Sequence, residues 1–201
     1  MRKKRLGRPK LYGLLNPSLY RLQNCEEASR MDKCIDYEAF LEVALLFYNK
    51  VVELRRESSL QTFKVWSSYL GLTLIMLING LRVREALRVA RIFYESGDRR
   101  ITINTEKRGD RRIAIIPSFI EREDLEHLYK MLIKTGEENT RLRVADFTRR
   151  VFGVTPHSLR YAFIRYHTLT GKTPEEIAKG LGLREARTVK RYYLRGLQFL
   201  E

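Results

Sequence analysis

Two threonine–proline pairs, Thr155-Pro156 and Thr173-Pro174, most constrain what this chain can fold into. A threonine hydroxyl caps a helix start, and proline fits the first helical position because the N–H it lacks would be unpaired there. Each pair therefore opens a helix. Glu176, three residues after Thr173, completes a capping box, and Gly182 fits the end of that helix. A third helix is expected from about Arg184 to the C-terminus, with Val189, Tyr193, Gly196, Leu197 and Leu200 on its apolar stripe. Tyr192 falls off that stripe, on a face shared with Thr188 and Arg195. On the first helix, His157 and Arg160 stand three apart and project from one face.

Charge narrows the function. The 201 residues hold 39 Lys and Arg against 24 Asp and Glu, a net charge of +15. Such an excess favours a polyanion, and nucleic acid before a membrane surface. Six of the cations, Arg2, Lys3, Lys4, Arg5, Arg8 and Lys10, fall in the first ten residues, where no acid offsets them. Residues 1–31 are expected to form a basic arm that binds any phosphate backbone, and residues 32–201 one domain. Cys25 and Cys34 lack metal-ligand spacing and are expected as free thiols in a reducing cytosol. No secretory leader is expected, and the longest apolar run, Leu70 to Ile78, is a buried core helix rather than a span.

Along the chain the period of the apolar residues changes twice. Helices are expected from about Asp36 to Arg56 and, capped by Ser58 or Ser59, through Trp66 and Leu74 towards Ile78. Asn79-Gly80 breaks the second, and a short helix follows from Val83 to Val89, which leaves Arg82 in the turn. Alternation then predicts three short strands, Arg91–Tyr94, Arg100–Thr105 and Arg111–Ile116, with residues 106–110 as the second hairpin turn. In the last of these strands Ile113 and Ile115 are the apolar alternates. Further helices are expected at about Ile120–Lys134 and Arg141–Phe152. The fold class is mainly α with a small three-stranded antiparallel sheet (α+β).

Four stretches in this order, NGLRVREAL (79–87), a lysine in the hairpin turn, HSLR (157–160) and LGLREARTVKRY (181–192), resemble the catalytic domain of the tyrosine recombinases, the phage-integrase type. The resemblance runs from about Asp36 to Tyr193 and suits a virus, plasmid or integrated element, in archaea among other hosts. It implies cleavage and rejoining of double-stranded DNA through a 3′-phosphotyrosyl intermediate, with no cofactor and no metal. Matched motif to motif, Arg82 and Arg160 become the catalytic arginines and Glu85 the acid beside the first. Lys107 becomes the hairpin lysine, with Arg108 next to it as a DNA contact, His157 the histidine of the pair, and Tyr192 the nucleophile. Self-association on DNA as a dimer or tetramer, and an intracellular, nucleoid-associated location, are further implications.

The chemistry asks for the same residue types. Attack on a phosphodiester builds charge on two non-bridging oxygens, which planar guanidiniums match. A tyrosine near its reference pKa of about 10 needs a base or a strongly cationic site. His157 can serve as that base or as a donor to a phosphate oxygen, and Lys107 can protonate the leaving 5′ oxygen. Where the family has His or Trp, this chain has Leu183, which packs but donates no hydrogen bond; Arg184 or Arg187 stands near enough in sequence to compensate. The substitution, and the small N-terminal segment ahead of the domain, keep open a second expectation: a DNA-binding or regulatory protein of the same fold with weak or no turnover.

Overall fold

The computed structural model describes residues 35–57, 60–105, 110–187, 189, 190 and 192. The basic arm, both cysteines, Lys107, Arg108, Thr188, Tyr193 and Arg195 lie outside the described residues. Helix α1 (Tyr37–Glu57) starts where the Asp36 carboxylate accepts from the Ala39 N–H at 2.9 Å. Helix α2 (Gln61–Asn79) is buried all round from Ser67 to Leu77, which makes it the core helix, with α1 and the later long helices packed around it. Leu60 holds its N-cap position without a side-chain hydrogen bond, and Ser58 and Ser59, expected to cap it, lie outside the described residues. It ends at Gly80, in the left-handed region at φ 59, where N–H groups of the turn reach back to Leu77 and Met76. A side chain on Gly80 would meet Phe163 and Leu181, so the glycine also lets the segments that carry them close in.

Helix α3 (Val83–Ser96) is longer than its sequence suggests and absorbs the expected first strand. Arg91–Tyr94 carries strand-like residues, but Ala86, Val89, Ala90 and Phe93 bury at helical spacing, and packing decides between the two readings. Only Gly97, at φ 82, stops it. The sheet among the described residues is therefore two-stranded: β1 (Arg100–Asn104) antiparallel to β2 (Arg111–Ile115), with Ile101 opposite Ala114 and Ile103 opposite Arg112. That register reverses the expected facing of β2. Arg112 and Ala114 point inward, while Ile113 and Ile115 are 46% and 57% exposed. Where a third strand would pair with β2, the Asn79 side-chain amide does so instead. It donates to the Ile115 carbonyl at 2.9 Å and accepts from the Ile115 N–H at 2.8 Å, as a peptide unit would.

A short 3-10 turn (Arg122–Leu125) leads into α4 (Glu126–Phe152), whose two segments meet at Gly136, with non-helical φ 80 and ψ 169. These segments take the place of the two helices expected there. Helix α5 (Pro156–Leu169) and helix α6 (Pro174–Gly180) begin as their threonines dictate. Thr155 Oγ1 accepts from the Ser158 N–H at 3.3 Å; Thr173 and Glu176 close the reciprocal box at 3.2 and 2.7 Å. Behind α6 a second apolar cluster forms from Ile164, Ile177, Ala178, Leu181 and Val189, with Leu183 and Tyr192 packed against it. Residues 187, 189, 190 and 192 are helical. No helix of the described residues is long and apolar enough to cross a membrane.

Candidate functional site

Glu85 is the centre of the site. It stands in the first turn of α3, and its carboxylate, fully buried, accepts from the Arg82 backbone N–H at 3.0 Å and from Arg82 Nη1 at 2.9 Å. Two more guanidiniums converge on it: Arg112 Nη1 from β2 at 3.6 Å and Arg160 Nη1 from α5 at 3.7 Å. Three cations thus share one anion. Burial pushes the Glu85 carboxyl up, but the Arg82 N–H and the charges of Arg160, Arg82 and Arg112 outweigh it and hold it below its ordinary range.

The arginines are unequal. Arg82, in extended backbone at the head of α3, keeps a 20% exposed side chain. Arg160 is not solvent-facing, as a phosphate-site arginine is expected to be: it is 4% exposed and donates through Nη1 to the Gly80 carbonyl at 2.7 Å. Arg112, which sequence alternation assigns to the solvent face, is as buried as Arg160 and donates through Nη2 to the Asn79 carbonyl. Burial brings both guanidiniums down to about 10, with the positive neighbours adding to the fall and Glu85 opposing it. Arg112 Nε and Nη1 and Arg160 Nη2 have no hydrogen-bond partner among the described residues. Buried donors left open beside surplus positive charge suit an anion.

His157 is exposed in the first turn of α5. With Arg82, Arg84, Arg141, Thr155 and Pro156 it lines a cleft of about 450 Å³ beside the Glu85 cluster. Its Nε2 lies 2.7 Å from the Tyr161 hydroxyl, one helical turn on. Tyr161 in turn stacks on Tyr192 with ring centroids 4.0 Å apart and accepts a hydrogen bond from the Tyr192 hydroxyl. Tyr192 is therefore half-buried against α5 rather than on an open polar face. Leu183 packs into the second apolar cluster and offers the site no donor. Arg184 bonds Asp110 at 3.0 Å, which ties the approach to the last helix to the foot of the hairpin. Gly182 makes that approach possible: at φ 62, a Cβ there would lie 2.6 Å from Thr105 and 3.1 Å from Arg112. At this same foot the Thr105 N–H donates to the Asp110 carbonyl at 2.8 Å.

The structure thus brings together Arg82, Glu85, Arg160, His157 and Tyr192, and adds Arg112 and Tyr161, which sequence reasoning missed. Arg112 carries no sequence signal, since its inward direction is a matter of register. Tyr161 carries a weak one, its spacing of four from His157. Among the described residues no group of three or more His, Cys, Asp or Glu is placed to hold a metal ion.

Comparison with known proteins gives the chain one informative likeness. No protein-family model matches it, and no solved structure does. It is 34% identical over 117 residues to "Putative integrase ORF241" of Acidianus two-tailed virus. The matched segment is 58% of this chain and 47% of that protein, so the chain spans about half of its viral relative's length.

Proposed function

We propose that the protein cuts and rejoins double-stranded DNA by transesterification at Tyr192, as a tyrosine recombinase of the integrase type. The observation that carries this is the convergence of Arg82, Arg112 and Arg160 on Glu85 beside the His157–Tyr161–Tyr192 chain. In this reading residues 32–201 are the catalytic domain and residues 1–31 the arm that grips the backbone; copies assemble on DNA. Arg82 meets the scissile phosphate from the cleft wall, and Arg160 and Arg112 supply charge from behind it. Tyr192 Oη attacks phosphorus and loses its proton towards His157, the bond to the 5′ oxygen breaks, and Lys107 gives that oxygen a proton. The 3′ end is left on Tyr192, and attack by a 5′ hydroxyl reverses the step. The likeness to a viral protein named as an integrase supports a role in DNA integration. The apolar seat of Leu183 favours a second reading, a DNA-binding protein of this fold with weak turnover.

Denaturing gels of the protein incubated with nicked duplexes test the proposal. A covalent 3′-phosphotyrosyl protein–DNA adduct is expected; none on any of several sequences would support the binding-protein reading. The two matched arginines should then separate. Arg82→Ala should slow adduct formation by about 100-fold to 1,000-fold, the scale of one lost transition-state donor, with its unfolding midpoint little changed. Arg160→Ala should lose cleavage and also about 1–3 kcal/mol of stability, because Gly80 O loses a buried partner. Adduct formation at the wild-type rate by Arg82→Ala would remove Arg82 from the chemistry.

Binding itself should depend steeply on salt. Each phosphate contact adds about 0.9 to the slope of log affinity against log salt. Removal of residues 1–10, with their six cations, should flatten that slope by several units. An unchanged slope would show that the arm does not touch DNA.

A further inference from the structure

We propose that Tyr161 passes the proton from Tyr192 to His157, an inference that rests on Tyr192 being the nucleophile. The unbroken line of hydrogen-bonded groups from Tyr192 through Tyr161 to His157 supplies the argument. Tyr192 donates to the Tyr161 hydroxyl, whose oxygen is thereby an acceptor. The same oxygen lies 2.7 Å from His157 Nε2. In the imidazole tautomer with hydrogen on Nδ1, Nε2 has a lone pair to receive a proton. Packing holds the three groups in line. Tyr161 is fixed to α5 one turn after His157, its ring edge-on to the imidazole at 4.5 Å and tilted over the Tyr192 ring at 4.0 Å.

The step balances without another reactant. As Tyr192 Oη bonds to phosphorus, its hydrogen moves to Tyr161 Oη. The hydrogen of Tyr161 moves to His157 Nε2, and Tyr161 ends neutral as it began. The imidazole ends as a cation. The charged groups that line its cleft are Arg82 and Arg84 of α3 and Arg141 of α4, the last two paired with Glu138, and a bound phosphate adds negative charge beside the imidazole. A phosphate in the cleft thereby favours the proton transfer.

Tyr161→Phe keeps the ring stack and removes the relay. Single-turnover adduct formation on nicked duplex DNA should fall about 100-fold near neutral pH, within the span of a positioned base, with DNA affinity unchanged. Its rate should lose the limb that follows imidazole deprotonation and climb instead towards the tyrosine range, approaching the wild type there. Nitrogen NMR of His157 gives a readout free of turnover: Nε2 should be unprotonated in the wild type, and the tautomer preference should weaken in Tyr161→Phe. A variant with the wild-type rate and pH profile, a loss of rate equal at every pH, or a wild-type imidazole protonated on Nε2 would each overturn the relay while leaving the cleavage reading standing. A wild type that forms no adduct at any pH would instead remove the cleavage reading, and the relay with it.

Discussion

Tyr192→Phe should form no covalent adduct with nicked DNA, while Tyr193→Phe should form a normal one. The chain offers two neighbouring tyrosines, and a helix turned by one residue would exchange them. The motif match assigns the attack to Tyr192, and its contacts support that reading: its hydroxyl is linked through Tyr161 to the histidine that stands in the cleft with Arg82. Phenylalanine fills the same half-buried space against Tyr161, so the fold should hold and the loss be one of chemistry alone. Denaturing gels with both variants and the wild type decide the matter. An adduct that persists in Tyr192→Phe would move the nucleophile elsewhere.

Glu85→Ala should cost about 3–5 kcal/mol of stability, the scale for breaking a buried ion pair by removing one partner. Three guanidiniums would be left facing one another, two of them buried. Urea unfolding should show the loss as a lower midpoint with an unchanged slope. The pH dependence has a definite sign. The Glu85 carboxyl lies below its ordinary 4.5 in the folded protein, so its stabilising effect is complete above that value and fades as pH falls through the folded value. Glu85→Gln should remove that part of the acid sensitivity. Arg112 and Arg160 work in the other direction. Held down to about 10, each is harder to keep charged folded than unfolded, and so weakens the fold at neutral pH. An anion that pairs with them offsets that cost, which is why duplex DNA should raise the unfolding temperature of the wild type. A Glu85→Ala protein as stable as the wild type would show that the cluster is not held by its acid.

The sequence by itself determined the starts of α5 and α6 and the stop of α2, and therefore the order of the site. Thr155-Pro156, Thr173-Pro174 and Asn79-Gly80 are local instructions, written in capping hydroxyls and backbone freedom, and they act without knowledge of the rest of the chain. They place Arg82 at the head of one helix and His157 and Arg160 in the first turns of another. The tertiary structure decided what those local rules cannot reach. Arg91–Tyr94 became helix because its residues had a core to bury against, and the outer edge of β2 is met by the amide of Asn79. Alternation placed Ile113 and Ile115 inward, yet the hairpin register turned Arg112 in, where Glu85 and the Asn79 carbonyl receive it. The burial of Arg160 has the same origin, in the approach of Gly80 from far along the chain. A buried charge is settled by the partners that folding brings to it, and those partners lie on other elements, beyond the range of any sequence period.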